Sequence, residues 1–95
     1  MEDRIIGPVT NIVDGDTFDM EVTEVWKNNV YHYNKQERIR IADIDAPELQ
    51  DAGGKRSKES LEKKISGYTV ECTIQTRDDY GRLVASYVNT NPPKI

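Results

Sequence analysis

From Thr17 to Trp26 apolar and polar residues alternate: Phe18, Met20 and Val22 fall on one face, and Asp19, Glu21 and Thr23 on the other. Period two predicts a half-buried strand. Val30 to Ala42 repeats the pattern, with Ile39 and Ile41 opposed to Arg38 and Arg40. Between these runs Lys27-Asn28-Asn29 predicts a turn, since asparagine tolerates positive φ, and the two strands form a hairpin. Tyr68 to Thr76 alternates again, with Tyr68, Val70, Cys72 and Ile74 inward. Arg82 to Val88 predicts a last strand after a turn over Arg77–Gly81. At the other end, Ile5 to Val13 is rich in Ile and Val but holds Gly7-Pro8. Proline donates no ladder hydrogen bond, so an edge strand is expected to begin near Val9. It ends at an Asp14-Gly15-Asp16 turn.

One segment has helical spacing. Ser57, Leu61 and Ile65 recur at i, i+4 and i+8 within Ser57–Ser66, and Gly67 stands where a helix stop belongs. The stripe is thin, so this helix depends on tertiary contacts. Leu49 to Gly54 reads as a loop, and Asn89 to Ile95, with two prolines, as a tail. The order is β-β-β-α-β-β, mainly β with one helix. It fits a five-stranded OB-fold barrel over residues 1–88 followed by a tail over 89–95. A half-barrel or a split α+β sheet has the same linear pattern.

With 95 residues, the chain is expected to be a single domain with one small core. The single cysteine, Cys72, excludes an internal disulfide and a cysteine-rich zinc site. No apolar run approaches the ~20 residues of a membrane span. The start, Met-Glu-Asp-Arg, has nothing like a signal peptide, so the expected location is the cytoplasm, or outside the cell if a longer precursor was trimmed. The net charge of −4 argues mildly against a nucleic-acid partner. Lys55, Arg56, Lys58, Lys63 and Lys64 nevertheless cluster on the helix segment, where a solvated face is the ordinary reading.

The candidate chemistry lies in three separated places. Asp14 and Asp16 flank Gly15, whose backbone freedom lets a carboxylate bend toward a shared point. Asp45 and Glu48 flank Ala46-Pro47, and proline frees the Ala46 carbonyl from ladder pairing. Carboxylate and carbonyl oxygens together suit a hard cation, calcium or magnesium. Arg40 precedes this loop and Arg82 opens the last strand. Guanidinium forks match two phosphate oxygens at once and neutralise charge in a phosphoryl-transfer transition state. Against these stand ordinary readings: a solvated turn, an acidic loop, and surface ion pairs of the arginines with Asp43 or Asp79. Trp26, Tyr31 and Tyr33 are expected to pack across the hairpin rather than stack bases.

Four segments in order resemble the staphylococcal-nuclease-like (thermonuclease) family: Val13-Asp14-Gly15-Asp16-Thr17-Phe18, Arg40 through Asp45-Ala46-Pro47-Glu48, Gly54 through Ser57, Leu61, Ile65 and Gly67, and Asp79-Tyr80-Gly81-Arg82-Leu83-Val84-Ala85. The resemblance spans about residues 9 to 88. It implies an OB barrel and a Ca²⁺-dependent endonuclease with little sequence preference, hydrolysing DNA and RNA to 3′-phosphate ends. It implies Asp16 and Asp45 as metal carboxylates and Ala46 as a backbone-carbonyl ligand. Glu48 would position or deprotonate the attacking water, and Arg40 and Arg82 would bind phosphate. Asp14 and Thr17 would support the site, and Tyr80 would lie beside the nucleotide. Asp43 adds a carboxylate where the family has glycine or an apolar residue, and Asp79 stands where its best-known member has a lysine. The barrel is expected without the family's C-terminal helices, so that a further segment or a partner would complete the nucleotide pocket. The rival expectations are a non-catalytic OB module that binds nucleic acid or protein, and a trimmed nuclease core of weak activity.

Overall fold

The computed structural model describes residues 2–91. Its elements are β1 (Asp3–Asp14), β2 (Thr17–Glu21), β3 (Glu24–Val25), β4 (Gln36–Ile41), α1 (Gly54–Ile65), β5 (Thr69–Arg77) and β6 (Leu83–Asn91). Pairing runs β2-β4-β6-β5-β1, and β2 pairs back onto β1, which closes a five-stranded OB-type barrel; β3 flanks β1 outside that ring. All pairs are antiparallel except β4 with β6. Among the described residues α1 is the one helix, and it follows the third barrel strand as expected.

The alternating positions supply the core. Phe18, Met20, Ile39, Ile41, Val70, Cys72, Ile74, Leu83 and Ala85 point inward, with Ile5, Val9 and Ile12 from β1. Leu61 and Ile65 close the barrel from α1. Burying each such side chain contributes roughly 1.5–3 kcal/mol, which anchors a helix whose remaining surface is wet. Cys72 is a buried thiol against the Met20 sulfur at 3.7 Å, and burial pushes its pKa up to about 12. Tyr87 meets the Phe18 ring edge-on at 5.8 Å.

The structure corrects several boundaries. β1 starts at Asp3 and is flanked on both sides, not an edge strand from Val9. It accommodates Pro8 because the ladder beside it is broken. Val9 N–H turns toward the start of β5, donating to Tyr68 O just before it, whereas the Ile6 carbonyl accepts from Thr23 N–H. Pro8 has the parity of Ile6, so its missing donor faces the gap between β2 and β3. That gap also splits the expected 17–26 strand. Opposite it, a Cβ on Gly7 would lie 1.6 Å from Glu21 O, an approach only glycine permits.

The returning strand is Gln36–Ile41, not Val30–Ala42. Residues 30–33 leave the ladder because a buried side chain takes their donors. Asp3 accepts from Val30 N–H (2.8 Å), Tyr31 N–H (3.0 Å) and Tyr33 O–H (2.6 Å). Of the three aromatics expected to pack across the hairpin, Trp26 and Tyr31 are exposed, while Tyr33 packs against the core. The helix begins at Gly54, not Ser57, because its first turn lies on the 48–49 backbone, where a Cβ on Gly54 would stand 1.9 Å from Glu48 O. Gly67 takes positive φ at the helix stop, as expected. Asn89–Asn91 belongs to β6 rather than to a tail; the rest of the expected tail lies outside the described residues.

Candidate active site

The barrel brings the first acidic turn against the loop after β4. Asp14 and Thr17 are a paired position across a two-residue turn, and Gly15 at its tip is buried. A Cβ there would meet Ser57 at 2.5 Å and Ala46 at 2.8 Å, so helix, turn and acidic loop touch at one point. The turn folds itself: Asp16 N–H donates to Asp14 Oδ1 (3.2 Å). The Asp16 backbone carbonyl accepts from Ile41 N–H at 2.8 Å, locking the turn to the end of β4.

The Asp16 carboxylate is then surrounded. Thr17 Oγ1 donates to Oδ1 at 2.8 Å, and Ala46 N–H donates to Oδ2 at 3.0 Å. Arg40 Nη2 stands 3.4 Å from Asp16 Oδ2 and 3.4 Å from Asp45 Oδ1. Arg40 Nη1 donates to the carbonyls of Ile41 and Ile44. One cation thus already bridges the two carboxylates named as metal ligands. Asp16 is almost fully buried, whereas the Asp45 side chain is 99% exposed.

The two acids of the turn shift in opposite directions. Burial raises the Asp14 carboxyl, and its hydrogen bond with Asp16 adds to that rise. Burial also pushes Asp16 up, but the hydrogen bonds from Asp14, the Ala46 amide and Thr17, with the Arg40 charge, outweigh it and leave Asp16 below the usual carboxylate range. Asp16 therefore keeps its charge to lower pH, and Asp14 takes the first proton.

The other candidates stand apart from this cluster. Arg82 Nε donates to Asp78 Oδ2 at 2.7 Å, and its guanidinium lies 5.3 Å over the Tyr80 ring. Asp78 also accepts from the N–H groups of Tyr80 (3.0 Å) and Arg82 (2.8 Å), so the acid that holds this arginine is Asp78, not Asp79. Register places Arg40 beside Val84, and Arg82 shares the parity of Val84, so both arginines face outward along the β4–β6 seam. Glu48 is exposed and accepts from Gln50 Nε2 at 2.6 Å. Asp43 is exposed, and the ion-pair partners of Arg40 are Asp16 and Asp45 instead. A cleft of about 410 Å³ opens beside Gly15, Asp45 and Ala46, with Arg56, Ser57 and Lys64 on its far wall. Part of the basic run expected on a solvated helix face thus borders the acidic loop.

A family model described as staphylococcal nuclease homologue matches residues 38–94. The chain belongs to the staphylococcal nuclease homologue family. An uncharacterized endonuclease of Escherichia coli is 35% identical over 80 residues, covering 84% of this chain and 46% of that protein. A micrococcal nuclease of Shigella flexneri is 39% identical over 79 residues, 82% of this chain and 39% of its own. Protein ParB of Escherichia coli is 32% identical over 93 residues, 93% of this chain and 47% of its own. The chain spans less than half the length of these relatives.

For a member of this family, the donor set fits a hard cation in kind, being oxygen only. In number it is sparse: among the described residues no three acid, histidine or cysteine side chains converge. Asp16, Asp45 and the Ala46 carbonyl would need water to complete a shell. The sequence offered no sign of two residues that matter to the layout. Asp78 looked like one acid among several in a turn, and the Ala46 amide, rather than its carbonyl, is what the fold ties to Asp16.

Proposed function

We propose that this chain is a calcium-dependent endonuclease core with little sequence preference, cleaving the phosphodiester bonds of DNA and RNA to leave 3′-phosphate ends. The observation that carries this reading is the convergence of Asp16 and Asp45 on Arg40. Two hard carboxylates and a guanidinium at one point form the kit for holding a phosphate beside a divalent cation.

Asp16, Asp45 and the Ala46 carbonyl would hold the cation, which when bound neutralises phosphate charge and favours ionisation of a nearby water. Thr17 and the Ala46 amide fix the orientation of Asp16, and Asp14 fixes the turn that carries it. Glu48, exposed on the same loop as Asp45, accepts a proton from the attacking water. The water oxygen bonds to phosphorus, the bond to the 5′ oxygen breaks, and that oxygen leaves with a proton. Arg40 and Arg82 face the non-bridging oxygens, where charge grows in the transition state. Tyr80, 85% exposed beside Arg82, supplies a face for the adjoining nucleotide. Glu48 and Arg82 must swing from Gln50 and Asp78 to do this, and substrate charge is what draws Arg82 away.

The test is a cleavage assay on single- and double-stranded DNA and on RNA, with Ca²⁺ and with chelator, followed by end-group analysis. Cleavage that needs Ca²⁺ and leaves 3′-phosphate is expected. Binding without cleavage would favour a non-catalytic nucleic-acid module, a reading that the Arg82–Asp78 ion pair at 2.7 Å supports by occupying that arginine.

A further inference from the structure

The ten residues from Trp26 to Lys35 hold three aromatic rings (Trp26, Tyr31, Tyr33), two lysines (Lys27, Lys35) and His32, with no acid among them. In a chain of net charge −4 they form a locally basic, aromatic segment. The segment is pinned to the barrel. Asp3 takes the donors of Val30, Tyr31 and Tyr33, and Asn29 exchanges hydrogen bonds with the Arg4 backbone, 2.8 Å each way. Yet Tyr31 is 72% exposed and Trp26 45% exposed. The Arg4 guanidinium lies over the Trp26 ring at 4.5 Å, and the ring still reaches solvent.

Beneath the loop lies a cavity of about 680 Å³, walled by Val30, Tyr31 and His32 on one side and by Thr76, Arg77 and Leu83 on the other. Arg77 and Leu83 pair at the base of the hairpin that carries Tyr80 and Arg82, so the cavity reaches the foot of that hairpin. Of the nearby acids, Asp3 is spent on the loop and Glu37 on Arg77, at 3.1 and 3.2 Å, while Glu2 lies at the cavity wall. Lys27, His32 and Lys35 are exposed, and the exposed acids beside them are Glu2 and Glu24.

We propose that residues 26–35 are a stacking platform for single-stranded nucleic acid. Unpaired bases lie on Tyr31 and on the exposed part of Trp26, and Lys27, Lys35 and Arg4 face the backbone phosphates. Rigid exposed rings among cations are what an unpaired strand needs, whereas a duplex has already buried its base faces against one another. The inference rests on the nuclease reading and adds to it a binding surface on residues 26–35.

Trp26 is the one tryptophan of the chain, so its emission reports on the loop directly. Titrating the 95-residue chain with oligo-dT in chelator at low salt should quench that emission, and the matching duplex should bind more weakly. Tyr31→Ala should weaken dT binding at least about fivefold, as loss of one stacked base implies, and Tyr31→Phe should restore it. Because Tyr31 is exposed, its far-UV circular dichroism spectrum should match the parent. Tyr31→Leu binding dT as tightly as the parent would mark a merely apolar surface, suited to a protein partner, and would overturn the proposal. Equal affinity for duplex, or no change in emission at saturation, would overturn it too. The titration is independent of cleavage. Quenching without calcium-dependent hydrolysis supports the platform and removes the nuclease reading; hydrolysis without quenching does the reverse.

Discussion

Arg40 holds Asp16 where a metal ion is expected to hold it: Nη2 lies 3.4 Å from Oδ2, and the same nitrogen reaches Asp45. A guanidinium and a divalent cation compete for those oxygens. Arg40→Met should therefore raise Ca²⁺ affinity, by about fivefold or more, since the Arg40–Asp16 arm is largely shielded from solvent and exceeds the ~1 kcal/mol of an exposed pair, as read by isothermal titration. The same change should cut cleavage about a hundredfold or more, since one preorganised donor is worth about 3–4 kcal/mol of barrier. Unchanged Ca²⁺ affinity would show that Arg40 does not contend for the site.

Arg40→Lys and Arg82→Ala should each cut cleavage by about the same factor, because an ammonium lacks the planar fork and alanine lacks any charge. Circular dichroism should show a retained fold, as Arg82 bonds only within its own hairpin. Near-parent rates in either variant would remove both arginines from the proposed machinery.

Asp45→Asn separates binding from stability. The Asp45 side chain is 99% exposed, so the unfolding free energy should change by less than about 0.5 kcal/mol. Cation affinity should fall about tenfold or more, a loss at least as large as that from disturbing a ligand's support. Chemical denaturation and calorimetric Ca²⁺ titration check the two halves.

Gly7→Ala should be among the most damaging single changes in the barrel. The new Cβ would stand 1.6 Å from Glu21 O, a backbone atom with no rotamer to retreat into. A loss of about 3 kcal/mol or more is expected from overpacking against backbone, measured by urea denaturation.

Acid should release the 26–35 loop before it unfolds the barrel. The Tyr33 hydroxyl bond, opposed by burial and aided by the Val30 and Tyr31 amides, holds Asp3 below its ordinary value of 3.8. A depressed carboxyl stabilises the fold fully above the unfolded value. That contribution fades as pH falls from 3.8 through the folded value. Trp26 emission should change over this window in the parent, and Asp3→Asn should show the acid-form signal already at neutral pH. Identical titrations would place Asp3 outside the loop's anchorage.

How much of this was legible in the sequence depends on the range of the cause. Period two on Phe18-Met20 and on Ile39-Ile41 located two strands because burial on one face is written locally. Gly67 marked the helix stop because its conformation needs no partner. The Gly7–Pro8 pair reads locally as an edge because its explanation, a broken ladder at residues 21–23, belongs to another strand. The false strand over residues 30–35 failed for the same reason: Asp3 lies 27 residues upstream of Val30. In the candidate site, Asp16, Arg40 and Asp45 meet through two ion pairs. Glu48 and Arg82 are not joined to that cluster; short-range partners, Gln50 and Asp78, hold them.

The parallel seam of β4 and β6 rests on only three residue pairs, Ile39 with Leu83, Arg40 with Val84 and Ile41 with Ala85. A slip of one residue along either strand would exchange inside for outside. A slip in β4 would drive Arg40 into the apolar interior and expel Ile39 and Ile41; one in β6 would do the same to Arg82 and Leu83. An unpaired guanidinium in that interior carries a penalty of several kcal/mol, comparable to the whole stability of a small domain. The outward arginines thus proofread the seam. A barrel closed in the wrong register falls apart, and molecules that remain folded carry both cations on the solvent side.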